Sequence, residues 1–222
     1  MKTEFGGPVV TETFTASGVY DKVAWFAVLA ILAGAVGYLA ASPGLVLAAF
    51  IGGLVTGLIG IFKPAYARAI GTVYALLMGL ALGGITAAYA TQTNGIAPLA
   101  IIFTGGVFLA ALVVFRSGLV KVTPRFVSMT IMAGFGFLLV LLAGLIGVPF
   151  VNLSSQSGML VIGVIGLLLG VMYLFVDFNA IAVGEQQALP VQAEWYAAFT
   201  VLMSLVFVYI NVLRVLGRGG RR

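Results

Sequence analysis

Long apolar stretches alternate with short polar joints along almost the whole chain. Seven stretches approach the roughly 20 residues that an α-helix needs to cross a ~30 Å hydrocarbon core. They cover residues 23–41, 45–62, 70–90, 96–115, 126–148, 158–178 and 195–216. The joints contain residues typical of turns, such as Ser42-Pro43-Gly44 and Asn94-Gly95. This pattern predicts seven membrane-spanning helices.

The same pattern predicts one membrane domain and two short tails. Residues 1–21 are polar and contain three of the six acids, which indicates a flexible N-terminal tail. Residues 22–217 form the predicted seven-helix domain, and the basic residues 218–222 form a C-terminal tail. No internal sequence repeat is evident, and no stretch is long enough for a separate soluble domain.

Composition strengthens the membrane interpretation and excludes much chemistry. The chain is 62% hydrophobic and 8% charged, whereas soluble domains carry roughly 25% charged residues. Cysteine and histidine are both absent, which excludes disulfides, zinc and haem sites built from these residues, and imidazole-dependent catalysis. No phosphate-binding P-loop motif occurs. We therefore expect an all-α integral membrane protein with no cofactor, no tightly bound transition metal and no enzymatic activity.

The positions of the basic residues predict the orientation. Those before and between the first five helices fall on one side of the membrane, namely Lys2, Lys22, Lys63, Arg68, Arg116, Lys121 and Arg125. The positive-inside rule places that side and the N-terminus in the cytoplasm. We therefore expect the protein in the inner (plasma) membrane of the cell. The net charge of +5 is explained by this topology, so we expect no nucleic-acid partner.

The end of the chain leaves two topologies open. Seven full crossings would put the last four basic residues outside, namely Arg214, Arg218, Arg221 and Arg222. Six crossings with one late re-entrant segment would place all eleven basic residues on one side. The charge pattern alone does not choose between them.

The acids after residue 21 are Asp177, Glu185 and Glu194. A carboxylate inside a membrane segment costs about 2.5–3.5 kcal/mol and marks a functional site by default. Glu185 is better interpreted as part of an aqueous loop. Asp177 falls within about 40° of a helical line that also holds Tyr173 and the glycines at 163, 166 and 170. That line predicts that Asp177 faces a packing seam inside the bundle.

Polar side chains also share one face of the seventh helix. They fall within an arc of about 80° at 100° per residue and comprise Tyr196, Thr200, Ser204, Asn211 and Arg214. Ordinary hydrogen bonding between helices is one interpretation. The other is that this stripe, together with Asp177 and Tyr173, lines a narrow polar path for ions.

At its last two helices the sequence resembles the Bax inhibitor-1 family, in particular its bacterial branch. The matching segments are YLFVDFNAI, from Tyr173 to Ile181, and YINVLRVLG, from Tyr209 to Gly217. The resemblance implies six helices around a central C-terminal seventh. It also implies a pH-sensitive calcium leak, in which an aspartate pair on helices 6 and 7 opens or closes the path.

Only half of that aspartate pair carries over. Asp177 matches the helix 6 aspartate, whereas the position of the helix 7 aspartate falls at or very near Ser204. Helix 7 contains no aspartate. Glu194 lies ten residues before Ser204 and would replace the missing acid only if the start of the helix were bent or unwound.

Three functions are compatible with these features. The leading hypothesis is a passive cation leak, with calcium implied by the resemblance and bound weakly at Asp177, because calcium prefers six to eight oxygen ligands. A second is a regulator without transport activity, such as a modulator of a membrane-bound AAA protease. A third is a proton-coupled transporter, for which Asp177 and Glu194 would both have to titrate. The expected partners are thus the lipid bilayer, calcium or protons, and for the second hypothesis a membrane protease.

Overall fold

A computed structural model describes residues 13–40, 42–91, 95–145 and 155–219. Within these ranges the chain forms seven α-helices, and a short 3-10 turn, Pro64–Tyr66, precedes the third. The helices are α1 (Ala16–Ala40), α2 (Pro43–Phe62), α3 (Ala67–Ala90), α4 (Ile96–Arg116), α5 (Pro124–Leu145), α6 (Gln156–Gln186) and α7 (Ala193–Gly219). All seven are long and apolar enough to cross a membrane. The chain is therefore a multi-pass membrane protein, as the hydrophobic pattern predicts.

The first helix begins earlier than its apolar stretch. It starts at Ala16, within the segment predicted as a flexible tail, and residues 1–12 lie outside the described ranges. The first backbone N–H groups of a helix lack partners within the helix. Here the N–H groups of Thr15 and Ala16 donate to carboxylates of Glu194 and Glu185, at 2.8 and 2.9 Å. These distant acids extend the helix toward the N-terminus.

The residues just before α1 are held against the connection between α6 and α7. The backbone N–H of Phe14 donates to the carbonyl of Leu189 at 2.8 Å, and Thr13 forms an isolated bridge with Pro190. The side chain of Phe14 is buried, next to Gly184 of α6. The start of the described chain is therefore anchored at the N-terminal end of the bundle.

Helix α7 lies at the centre of the bundle. It packs against α1, α3, α4 and α6. Its Phe199 packs on Gly60 of α2, and the ring of Phe207 lies 5.6 Å from the ring of Phe137 in α5. In the described chain α7 thus contacts every other helix, which is the predicted arrangement. Helix α3 is enclosed to a similar extent.

Glycines allow the close approach of α1 and α3. A Cβ atom on Gly83 would collide with the carbonyl oxygen of Gly34, and one on Gly79 would collide with the carbonyl oxygen of Ala30. The backbones of the two helices are therefore in direct contact, as expected for small-residue packing in membranes.

Helix α7 passes through the full depth of the bundle. Near its start, the ring of Trp195 lies 5.0 Å from the guanidinium of Arg68, at the beginning of α3. Near its end, Gly217 packs on Tyr89, one residue before α3 ends. The 24 residues of α3 span ~36 Å at 1.5 Å per residue. Of the two topologies left open by the charges, the fold therefore has seven crossings, with Arg214 at the end opposite the N-terminus.

Candidate functional site

Asp177 and Ser204 form a hydrogen-bonded pair between α6 and α7. The hydroxyl of Ser204 donates to Oδ2 of Asp177 at 2.6 Å, and both side chains are buried, with 9% and 7% of their surface exposed. The hydroxyl of Thr200, one turn earlier in α7, lies near Asp177 and donates to the backbone carbonyl of Ala197 at 2.9 Å. The pair occupies the two positions at which the family resemblance implies paired aspartates. Their contact is a finding of the structure.

No cation neutralises Asp177 in the described part of the chain. Among the described residues, the ion pair that the structure shows joins Lys22 to Glu194, near the start of α7. Ser204 lies eleven residues into α7, or ~16 Å from its start, so the pair lies deep within the bundle. A serine hydroxyl both donates and accepts hydrogen bonds. Ser204 therefore remains a partner for Asp177 in either protonation state.

The glycines of α6 bring that helix against α7. Cβ atoms on Gly163, Gly166 and Gly170 would meet Arg214, Asn211 and Val208 of α7 in turn. Asp177 extends the same stripe by two further turns and meets Ser204. The helical spacing of small residues thus predicted the seam correctly, because contact between backbones requires them on one face.

An aromatic layer closes the seam next to the Asp177–Ser204 pair. The ring of Phe207 lies edge-on to Tyr173 at 6.0 Å and to Phe137 at 5.6 Å. The hydroxyl of Tyr173 lies against Gly134 of α5. Tyr173 and Phe207 therefore fill the space between α5, α6 and α7, and Tyr173 is not a hydrogen-bond partner of Asp177 among the contacts described.

Asn211 and Arg214 form a separate polar group nearer the end of α7. Arg214 Nη1 donates to Asn211 Oδ1 at 3.1 Å, and Asn211 Nδ2 donates to the carbonyl of Phe207 at 2.8 Å. Asn211 is fully buried against Gly166. Val208 and Phe207 lie between this group and Ser204, so the predicted polar stripe is interrupted in the structure.

Glu194 belongs to a third group, at the N-terminal end of the bundle. It is 2% exposed, forms an ion pair with Lys22, and accepts hydrogen bonds from the backbone N–H and the hydroxyl of Thr15. Glu194 lies ten residues before Ser204, or ~15 Å along α7. The start of α7 is helical from Ala193, so Glu194 does not reach Asp177 and does not replace the missing aspartate there.

Trp195 joins three helices beside this group. Lys22 Nζ lies 5.2 Å from the centre of its ring and Arg68 lies 5.0 Å from it, while Phe26 packs against its edge. Sequence reasoning assigned Lys22 and Arg68 only to membrane orientation and missed their contacts with Glu194 and Trp195. No local pattern contains this signal, because 172 residues separate Lys22 from Glu194.

The arrangement supplies few ligands for a metal ion. Among the described residues, no three acids are grouped closely enough to hold one. At the α6–α7 seam the oxygen donors are the Asp177 carboxylate and the hydroxyls of Ser204 and Thr200. Calcium takes six to eight oxygens, so these groups suit brief contact with a cation better than stable retention.

Comparison with known proteins agrees with the resemblance seen at the last two helices. A family model described as Bax inhibitor 1 like matches residues 3–218, nearly the full length of the chain. No curated protein matches the chain.

Proposed function

Since the chain belongs to the Bax inhibitor 1 like family, we propose that it is a pH-sensitive passive leak for cations, with calcium as the ion conducted. The observation that supports this most is the Asp177–Ser204 hydrogen bond, which places one ionisable group deep in the seam between α6 and α7. A passive leak needs weak binding along its path, so that the ion leaves as readily as it enters. A single carboxylate with two hydroxyls meets that requirement.

The proposed gate combines the Asp177–Ser204 pair with the aromatic layer beside it. Tyr173 precedes Asp177 by one helical turn and Phe207 follows Ser204 by three residues, so both rings pack next to the pair. Gain or loss of a proton at Asp177 changes the charge in the seam and the direction of its hydrogen bond. In this proposal the charged form attracts a cation, and separation of α6 from α7 moves Phe207 out of the path.

Calcium flux in proteoliposomes made with the pure protein tests the proposal. Phe207→Ala is expected to raise flux about tenfold or more, since shortening the side chain removes most of the aromatic layer; tenfold corresponds to about 1.4 kcal/mol. Phe103→Ala is the matched control, because Phe103 is 51% exposed on the lipid-facing surface of α4. The leak would be contradicted if liposomes with Phe207→Ala, liposomes with Phe103→Ala and liposomes without protein all showed the same calcium flux.

A regulator without transport activity is the second candidate, for example a modulator of a membrane-bound AAA protease. Two observations favour it: the seam is closed by Phe207 and Val208, and Phe14 itself is held against the connection between α6 and α7 at one end of the bundle. Deletion of residues 2–12 leaves Phe14 in place. A regulator that acts through the tail should lose its effect on protease activity, whereas a leak should keep its flux.

A proton-coupled transporter has less support. It would need Asp177 and Glu194 to titrate along one path, yet Glu194 pairs with Lys22 about 15 Å from Ser204. No described polar group connects the two acids.

We place the N-terminal end of the bundle in the cytoplasm and the protein in the plasma membrane of the cell. The protein has no native cysteine, so single cysteines report the sidedness of each end. Ser117→Cys is expected to react with a membrane-impermeant thiol reagent only after permeabilisation, because it follows the basic end of α4. Thr91→Cys, at the opposite end after α3, should react in intact cells. The reverse pattern would overturn this orientation.

A further inference from the structure

A groove runs along the bundle between α1 and α4, with α3 and α7 at its base. It has a volume of 740 Å³. Its walls extend from Tyr20 to Leu39 of α1 and from Ala97 to Leu112 of α4, which correspond to ~28 and ~22 Å at 1.5 Å per residue. The groove therefore follows the membrane-spanning helices through most of a ~30 Å hydrocarbon core.

The surface of the groove is almost entirely apolar. At its base lie Leu202, Leu205 and Val206 of the central helix. Two polar groups, Thr86 and Tyr209, lie 3.0 Å apart and form a hydrogen bond with each other. The hydroxyl oxygen of Thr104 is itself buried in the wall, so it offers the groove no polar surface. These features suit a long apolar occupant.

The groove opens toward the lipid, and the rim residues Ile31, Leu39 and Ile101 are exposed. An unfilled groove in this position would leave its walls without packing partners and would lose their dispersion contacts. Acyl chains are the apolar molecules that surround these helices in a membrane.

One end of the groove carries a group suited to phosphate. Tyr20 and Leu112 lie at that end, and Arg116 follows Leu112 by one helical turn and lies close to the side chain of Tyr20. Arginine binds phosphate oxygens with its planar, forked donors. Glu185 also lies near Tyr20, so positive and negative charge are balanced at this end of the groove. The site therefore suits the phosphate of a zwitterionic phospholipid and does not select lipids with a net negative charge. At the opposite end, near Tyr38 and Ala97, no charged residue lines the groove among those that the structure describes.

We propose that the α1–α4 groove binds one phospholipid, with an acyl chain along the groove and its phosphate at Arg116. The lipid comes from the leaflet at the N-terminal end of the bundle. Its chain packs on Val206, which lies about 200° around α7 from Ser204 at 100° per residue. The lipid thereby supports the face of the central helix opposite the Asp177–Ser204 pair. This inference is independent of whether the protein conducts ions.

Two adjacent glycines of α4 provide the test. A Cβ atom on Gly105 or on Gly106 meets nothing within 4 Å, but only Gly105 lines the groove. Gly105→Phe therefore fills the groove without a clash, and Gly106→Phe is the matched control on the outer surface. The measurement is phospholipid per protein, by mass spectrometry after purification in mild detergent with extensive washing. Gly105→Phe is expected to retain about tenfold less phospholipid than Gly106→Phe, a loss of about 1.4 kcal/mol in binding.

A second pair of variants tests the phosphate contact. Arg116→Gln should lower retention of added phosphatidylcholine several-fold, whereas Arg125→Gln, an exposed arginine at the start of α5, should not. Equal retention by Gly105→Phe and Gly106→Phe would overturn the proposal. It would also be overturned if Gly105→Phe kept its phospholipid but dissociated a dimer, since a second copy of the chain would then be the occupant.

Discussion

Asp177→Asn is expected to remove the pH dependence of calcium flux in proteoliposomes. Asparagine has nearly the same volume as aspartate and keeps an oxygen that accepts the Ser204 hydroxyl, so the packing between α6 and α7 is retained. The variant lacks a titrating group at this position. Flux is measured from about pH 3 to pH 9, because ordinary carboxyl groups titrate near pH 4 and buried ones titrate at higher pH. Wild type should follow a single protonation step, and the variant should show a flat profile.

Ser204→Asp and Asp21→Asn complete that experiment. Ser204→Asp restores the second acid of the family pattern directly beside Asp177, and two carboxylates in hydrogen-bond contact titrate as a coupled pair with two apparent steps. Asp21→Asn is the control, because Asp21 is an exposed acid near the start of α1. If Asp177→Asn conducts calcium with the wild-type pH profile, Asp177 is not the gate and the regulator becomes the better hypothesis.

Lys22→Met is expected to reduce the free energy of unfolding by about 3 kcal/mol. The substitution leaves the buried carboxylate of Glu194 without its cation, and loss of one partner from a buried ion pair costs about 3–5 kcal/mol. The lower end applies because Lys22 keeps 19% of its side-chain surface exposed and Thr15 still donates to Glu194. Thermal unfolding in detergent measures the change.

The ion pair itself is tested by a double-mutant cycle. Lys63→Met is the matched control, since Lys63 is exposed between α2 and α3 and forms no described ion pair. The double variant Lys22→Met with Glu194→Gln removes both charges and should recover part of the loss. An effect of Lys22→Met no larger than that of Lys63→Met would show that the contact with Glu194 contributes little to stability.

Hydrophobic length predicted the helices well where the sequence itself marks their ends. Helix α2 begins at Pro43, after the capping residue Ser42, and α4 begins at Ile96, after Gly95 with a φ of 74°. Both agree with the apolar stretches to within two residues. Helix α1 starts seven residues before its stretch, because carboxylates from α6 and α7 cap its first N–H groups. No local pattern contains that contribution.

In the candidate site, too, the sequence predicted some features and not others. Helical spacing placed Asp177 on the glycine seam and Ser204 on the polar face of α7, and both orientations are those observed. The same spacing grouped Asn211 and Arg214 with them, although these two form a separate polar group nearer the end of α7. The angle of a residue around its helix axis does not indicate which side chains fill the space at each depth along the bundle. Between Ser204 and Asn211 that space is filled by Phe207 and Val208.

By itself, the sequence determined that this chain is a membrane protein with seven apolar helices, and which faces of α6 and α7 turn inward. Both properties follow from local terms, namely the transfer of side chains out of water and a period of 3.6 residues. The tertiary structure alone decided the partners: Ser204 for Asp177, Lys22 for Glu194, and a groove between α1 and α4. Those contacts depend on how the helices are arranged around α7, and that arrangement results from packing between segments far apart in the chain.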